Sequence, residues 1–283
     1  MLTKGLVGLL FPLYAAALLI LLFALSSFHP GSDRDTARPT IEKMTLPKPD
    51  FQLISDIQMR KDRFFNYLRP KIHAQNTRIL ATRKQLKKWQ RQLNGGQNLS
   101  RNEQKRVLAL KQYYEVEDEH LDASIRQLLL RVNVIPEAMV LAQAASESAW
   151  GTSRFARLGN NYFGQWCYKK GCGLVPNRRI AGAKHEVAQF TSVDASVSAY
   201  FRNINTHPAY QKLRTLRQTL VEQNQPLQAM QLVAGLDQYS QRGEDYVEDL
   251  RAIIRVNHLE EESDIESEEE SDIESSAEPL IVN

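Results

Sequence analysis

A chain of 283 residues with 42% hydrophobic and 24% charged residues can bury a sizeable core, which excludes a wholly disordered protein. All 36 Lys and Arg precede residue 259, while the last 25 residues hold 11 Asp and Glu, so the body sets 36 basic against 22 acidic residues, a net +14 behind the overall +3. Such a body suits an anionic partner, and nucleic acid, anionic lipid and a cell-wall polymer all qualify on charge alone.

Gly5 to Ser27, GLVGLLFPLYAAALLILLFALSS, carries no charge, and about 20 apolar residues suffice for a membrane-spanning helix. A signal-peptide core is shorter, ~7–15 residues. Residues 1–27 are therefore expected to be an uncleaved membrane anchor, with a signal cleaved near Ala24 to Ser27 as the alternative. Lys4 alone precedes the span, which puts the N-terminus in the cytoplasm and the body outside it. Export removes nucleic acid from the candidate partners.

Residues 28–50 are rich in Pro, Ser, Asp, Lys and Arg and read as a linker. From 51 to 131 the pattern is helical. FQLISDIQMRKDRFFNYL spaces its apolar residues as a helix does, and Pro70 is expected to open a second, strongly basic helix. NGGQ breaks that helix, and Ser100 is a candidate N-cap for the next. The segment either packs on the later domain or forms a stalk. A spacer with a solvated basic face is the alternative to a binding role.

Ile135-Pro136 opens another helix. Gly151 is expected to stop it, which leaves Glu147 near its C-terminal end, where the macrodipole disfavours a carboxylate. Gln143 lies one turn earlier. Around Glu147 stand Ala142, Ala144, Ala145, Ala149 and Trp150. General acid catalysis of glycoside hydrolysis needs such an acid, kept protonated near neutral pH by a dry pocket.

Residues 159–190 change character, with glycines, aromatics and the alternating run KHEVAQF, and predict a loop and a small β-hairpin turning near Ala181-Gly182. Cys167 and Cys172, in CYKKGC, are the only cysteines, and an exported setting favours a disulfide between them. His185 is the only further ligand nearby, so neither a metal nor another cofactor is expected. Ser192 is a candidate cap for SVDASVSAYFRNINT, with Asp194 in its first turn. Helices are expected at about 211–222 and 226–257, the second interrupted by Gly235 and Gly243. Residues 259–283 repeat an acidic octamer, EESDIESE then EESDIESS, and read as a disordered tail.

LAQAASESAWGTSRFA followed by GNNYFG resembles the signature of the glucosaminidase family of bacterial peptidoglycan hydrolases (glycoside hydrolase family seventy-three). That signature runs Ala-x-x-Glu-Ser-Gly-Trp-Gly and then Asn-Asn-x-Phe-Gly. Ala149 stands where the family usually has Gly. The likeness covers about residues 130–220, and QWCYKKGCG with YFRNINTHPAY points to a membrane-associated branch. The resemblance implies a mainly α, α+β architecture: a lysozyme-like α-lobe with a small β-hairpin lobe over 132–258, preceded by the helical segment and the membrane helix. It implies a domain in the bacterial periplasm, held at the inner membrane through residues 5–27. There it would cut the β-1,4 bond after N-acetylglucosamine in peptidoglycan glycan strands.

Carried over by position, Glu147 is the general acid and Tyr200 the family tyrosine near the cleaved sugar. Tyr210 matches a second recurrent aromatic. Asn161, Tyr162, Phe163 and Gly164 match the turn that shapes the cleft, and Asn161, Tyr162, Phe163 and Tyr210 are candidate substrate contacts. Phe163 as core, Gly164 as a backbone requirement, Trp150 as packing behind Glu147 and Asn161 as a bonder of the turn are the structural alternatives. Many members carry a second glutamate on the hairpin, where this chain has Arg179, a candidate binder of stem-peptide carboxylates. The nearest acid is Glu186. Either Glu186 serves as base, or the substrate's N-acetyl group does that work, or the second function is lost.

Overall fold

The computed structural model describes residues 47–260 except 178, 180, 181 and 183. The expected membrane anchor, most of the linker and nearly all of the acidic tail lie outside the described residues. Among the described residues no helix is long and apolar enough to cross a membrane.

The fold is mainly helical with one small antiparallel sheet. A 3₁₀ turn at Phe51–Leu53 leads into α1 (Ile57–Asn94), followed by α2 (Arg101–Tyr114), α3 (Leu121–Arg131), α4 (Glu137–Ser148) and α5 (Arg154–Gly159). The strands β1 (Trp166–Cys167), β2 (Gly173–Leu174) and β3 (Glu186–Ala188) come next. The chain then forms α6 (Val193–Thr206), α7 (Gln211–Glu222), α8 (Ala229–Leu232) and α9 (Glu244–Val256).

Pro70 does not open a helix; it lies inside α1, which runs unbroken for 38 residues. Proline removes one i→i−4 hydrogen bond and normally kinks a helix. Here Pro70 and Asn66, whose carbonyl loses its partner, are both exposed. That carbonyl is open to solvent, while the buried stripe of Phe64, Phe65, Leu68, Ile72, Ile79, Leu86 and Trp89 continues across the proline. Gly95 then caps the helix. Ser100 caps α2 in a reciprocal pair with Glu103, and Glu103 also accepts from Trp89 Nε1 at 3.1 Å, fastening α2 back onto α1.

The 51–131 segment is neither stalk nor spacer. One hydrophobic core runs from Phe51 to Leu259. Polar anchors reinforce it. Asn76 donates to the Ile135 carbonyl at 2.9 Å and accepts from the Ile135 N–H at 3.2 Å. Arg69 pairs with Glu137 at 2.7 Å at the start of α4. Arg83 and Arg217 are buried and donate to carbonyls of the 129–134 bend, Arg83 to Val132 at 2.9 Å and Arg217 to Val134 at 3.0 Å. Buried guanidiniums are tolerated because several N–H groups find acceptors.

The small lobe is a three-stranded sheet rather than a two-stranded hairpin, ordered β1-β3-β2. Trp166 pairs with Val187 and Cys167 with Glu186; Gly173 pairs with Ala188 and Leu174 with Val187. The loop between β1 and β2 is closed by a Cys167–Cys172 disulfide, Cα–Cα 6.2 Å. Both flanking strands therefore take β3 as partner. After α6, capped by Ser192, the C-terminal half is not one interrupted helix over 226–257. It consists of α8, a 3₁₀ turn at Val233–Leu236, and α9. A side chain on Gly235 would strike the Leu213 backbone of α7, 2.4 Å from its Cα, so glycine permits that contact.

Candidate active site

Helix α4 is almost wholly buried, and its alanines let α1 and α9 approach closely. It ends before Gly151. Ala149 at the C-cap (φ 49°), Trp150 (φ 58°) and Gly151 (φ 78°) are all left-handed. For the two non-glycine residues that conformation costs about 1–3 kcal/mol each. Tertiary packing holds the turn. Trp150 lies edge-on to Phe64 and Phe65, at 5.8 and 5.4 Å between ring centroids. Lys61 sits over its ring at 5.0 Å. A Cβ on Gly151 would fall 2.3 Å from the Phe51 ring, so the N-terminal segment closes over the turn directly.

This turn fixes Glu147, one residue from the end of α4. Its carboxylate is partly buried, and a Cβ on Gly164 would lie 3.3 Å from Oε2. Gly164 (φ +64°) therefore brings backbone close to the acid. A directed chain of hydrogen bonds holds the far side. Tyr200 donates its hydroxyl to Gln143 Oε1, and Gln143 Nε2 donates to the Tyr246 hydroxyl at 3.1 Å. The Tyr246 hydroxyl faces the Glu147 side chain and interacts with it. Desolvation raises the Glu147 pKa above the usual carboxyl value and outweighs the lowering by Tyr246. The hydroxyls of Tyr200, Tyr210, Tyr239 and Tyr246 are also pushed up, mainly by burial, with the Glu147 charge adding to it.

The other residues expected at the site divide. Asn161, Tyr162 and Phe163 are each 1% exposed, so their side chains cannot be substrate contacts. They support the turn from inside. Asn161 donates to the carbonyls of Ala188 (2.8 Å) and Gln165 (2.9 Å) and accepts from the N–H groups of Gln165 and Phe163. Its amide is fully used holding the turn to β3. Tyr162 packs on Phe64, and Phe163 stacks on Tyr200 at 4.1 Å. Tyr200 is 0% exposed and lies behind Glu147, which makes it a positioning residue rather than a group that touches sugar. Tyr210 is largely buried near Tyr239, 5.7 Å between rings.

Glu186 is committed elsewhere. Its two oxygens accept from the N–H groups of Gly171 (3.0 Å) and Gly173 (2.9 Å), so it pins the disulfide loop. Those backbone bonds, with the nearby Arg179 guanidinium, hold its pKa below the usual range. Arg179 is exposed and donates to the His185 carbonyl at 3.3 Å. Cys167, Cys172 and Glu186 bring ligand-type atoms within 4.8 Å of one another. The sulfurs are bonded to each other and the carboxylate to backbone, so this group does not fit a metal.

Sequence reasoning missed Tyr239 and Tyr246. Tyr239 donates to the Phe163 carbonyl at 2.6 Å and stacks on Tyr246 at 5.6 Å, tying the far end of the chain to the GNNYFG turn. Tyr239 lies in the turn before α9 and Tyr246 inside α9, so no shared helical face marked the pair in the sequence.

The family described as glucosaminidase, mannosyl-glycoprotein endo-beta-N-acetylglucosaminidase, matches residues 123–259. Protein bax of Escherichia coli is 36% identical over 231 residues, 80% of each chain. The chain belongs to the glucosaminidase family. No solved structure matches it. The glucosaminidase match begins inside α3, yet the Glu147 turn is buttressed by aromatics from α1 and from Phe51, well before that start. Membership supports glycoside hydrolase activity and gives the half-buried acid a chemical context.

Proposed function

We propose that this protein is a peptidoglycan hydrolase, an endo-β-N-acetylglucosaminidase that cuts the β-1,4 bond after N-acetylglucosamine with Glu147 as general acid. The observation that carries this reading is a carboxylate half-buried at a strained helix end, close to the Gly164 backbone and facing Tyr246, with its pKa raised by desolvation. Glu147 gives its proton to the leaving glycosidic oxygen as the bond breaks. Positive charge then develops at the anomeric carbon and needs a second group. Glu186 is bonded to backbone, and among the described residues no other carboxylate contributes to the Glu147 shift. Both facts favour the substrate's own N-acetyl group as that second participant. The exported, membrane-anchored setting expected from residues 5–27 would bring the enzyme to this polymer.

Glu147→Gln matches the side chain in shape but has no proton to give. It is expected to lower wall hydrolysis by roughly 10²–10⁴-fold. Clearing of a peptidoglycan gel at the wild-type rate by the purified variant would overturn the assignment. A lone acid also serves a lytic transglycosylase, and mass spectrometry of the products separates the two. A reducing N-acetylglucosamine end supports the hydrolase, and an anhydro-muramyl end the transglycosylase.

A further inference from the structure

The β-lobe carries an aromatic surface that the chemistry at Glu147 does not use. Trp166 is 57% exposed, unusual for an indole on a strand. His185 stacks against it, ring centroids 4.0 Å apart and planes 11° from parallel. Strand register explains the pair. Trp166 lies opposite Val187, and His185, two residues before Val187, shares that face. Leu174 lies there too, and its Cδ1 meets Gly159 of α5, so this is the sheet face that turns toward the helical lobe. Val187 is buried, while Trp166 runs past it into solvent and His185 lies half-buried against the indole. Neither the indole N–H nor the imidazole nitrogens have a hydrogen-bond partner among the described residues.

The platform stands close to the acid. Gly164 approaches the Glu147 carboxylate, and Trp166 comes two residues later. Chain geometry keeps the Trp166 Cα within ~12 Å of that carboxylate. That is within reach of one or two sugar rings along a strand bound at Glu147. The face of an N-acetylhexosamine presents C–H groups of slight positive charge, and the face of an indole is negative. The hydroxyls and acetamido group around the sugar's rim suit the free indole N–H and imidazole edges.

Resting on the hydrolase reading, we propose that Trp166, backed by His185, is a sugar-stacking subsite that holds an N-acetylhexosamine ring of the glycan strand beside the bond to be cut. The disulfide and the Glu186 carboxylate then act at one remove. They fix the loop that leaves β1, and so the plane of the platform.

The test uses the full chain carrying Glu147→Gln, so that binding is measured without turnover, and a soluble N-acetylglucosamine hexamer as probe. Titration by calorimetry should show about tenfold weaker binding for Trp166→Ala. Trp166→Phe should restore most of it, and His185→Ala should weaken it less. Equal affinity for Trp166→Ala and its parent, with matching circular dichroism, would overturn the subsite, as would a parent that binds no hexamer. In otherwise wild-type protein, Trp166→Ala should raise KM for wall fragments and leave kcat within about twofold. Hexamer binding that depends on Trp166 in a protein unable to cut any wall would refute the hydrolase reading and leave the subsite standing.

Discussion

Burying a carboxylate costs stability only while it is ionised. Glu147 has a raised pKa in the fold, so between its ordinary value of 4.5 and that raised value the native state holds more protons than the unfolded one. Its contribution to stability is complete below pH 4.5 and is lost as pH rises through the folded pKa. Glu147→Gln should therefore melt at a higher temperature than wild type at pH 7 and show no gain at pH 4. Calorimetric melts at the two values check this; an equal gain at both would mean the carboxylate is not desolvated. In the proposed role of general acid, Glu147 would act when protonated, so kcat should fall on an alkaline limb that lies above the ordinary carboxyl value. Glu147 was legible in the sequence because its whole setting is local: alanines before it, Trp-Gly after it, and GNNYFG a few residues on. Tyr246 was not, since it lies 99 residues away and meets the acid only through tertiary packing.

Side chains reinforce the ladder of the three short strands. Glu186 bonds the N–H groups of Gly171 and Gly173 across the loop that the disulfide closes. An amide in its place keeps one acceptor and turns an NH₂ toward the other backbone donor. Glu186→Gln should loosen this lobe and raise KM, with far less than a hundred-fold loss in kcat. A loss of several hundred-fold in kcat, with the fold intact by circular dichroism, would make Glu186 the second catalytic group. Its lowered pKa gives a pH signature as well. The stabilisation is present above pH 4.5 and lost as pH falls through the folded pKa, so the melting difference between wild type and Glu186→Gln should vanish on acidification. Local signals named the elements correctly where they sat inside one segment, as with the Ser100 and Ser192 caps. They failed at Pro70, because a proline opening a helix and one on the wet face of a continuing helix look alike until the packing is known.

At the scale of the molecule, the stretch matching the glucosaminidase family starts at residue 123, but the core starts at Phe51. Without α1 and α2, Phe64, Phe65, Leu68 and Ile72 no longer cover Trp150, Tyr162 and the inner face of α4. Each such side chain contributes about 1.5–3 kcal/mol when fully buried, and a whole domain is stable by only ~5–15 kcal/mol. A fragment of residues 123–259 should therefore give no cooperative thermal transition, whereas residues 47–260 should melt cooperatively. A sharp melt of the shorter fragment would show that the helical segment is an accessory. Composition and periodicity made that segment visible as helix. Its place in the core could not be read from them, because a basic amphipathic helix looks the same on a stalk as against a partner.

The closure of Phe51, Phe64 and Phe65 over Trp150 and Gly151 also sets an order in time. A ribosome makes the aromatic stripe of α1 first and reaches Trp150 about 90 residues later, on the order of ten seconds at ~5–20 residues per second. Through that interval the stripe has no permanent cover, and the turn that aims Glu147 cannot form. The turn that holds Glu147 thus forms only once α1, made first, meets α4, and its full setting waits for the still later Tyr246, so a chain caught partway through synthesis carries the glutamate without its surroundings.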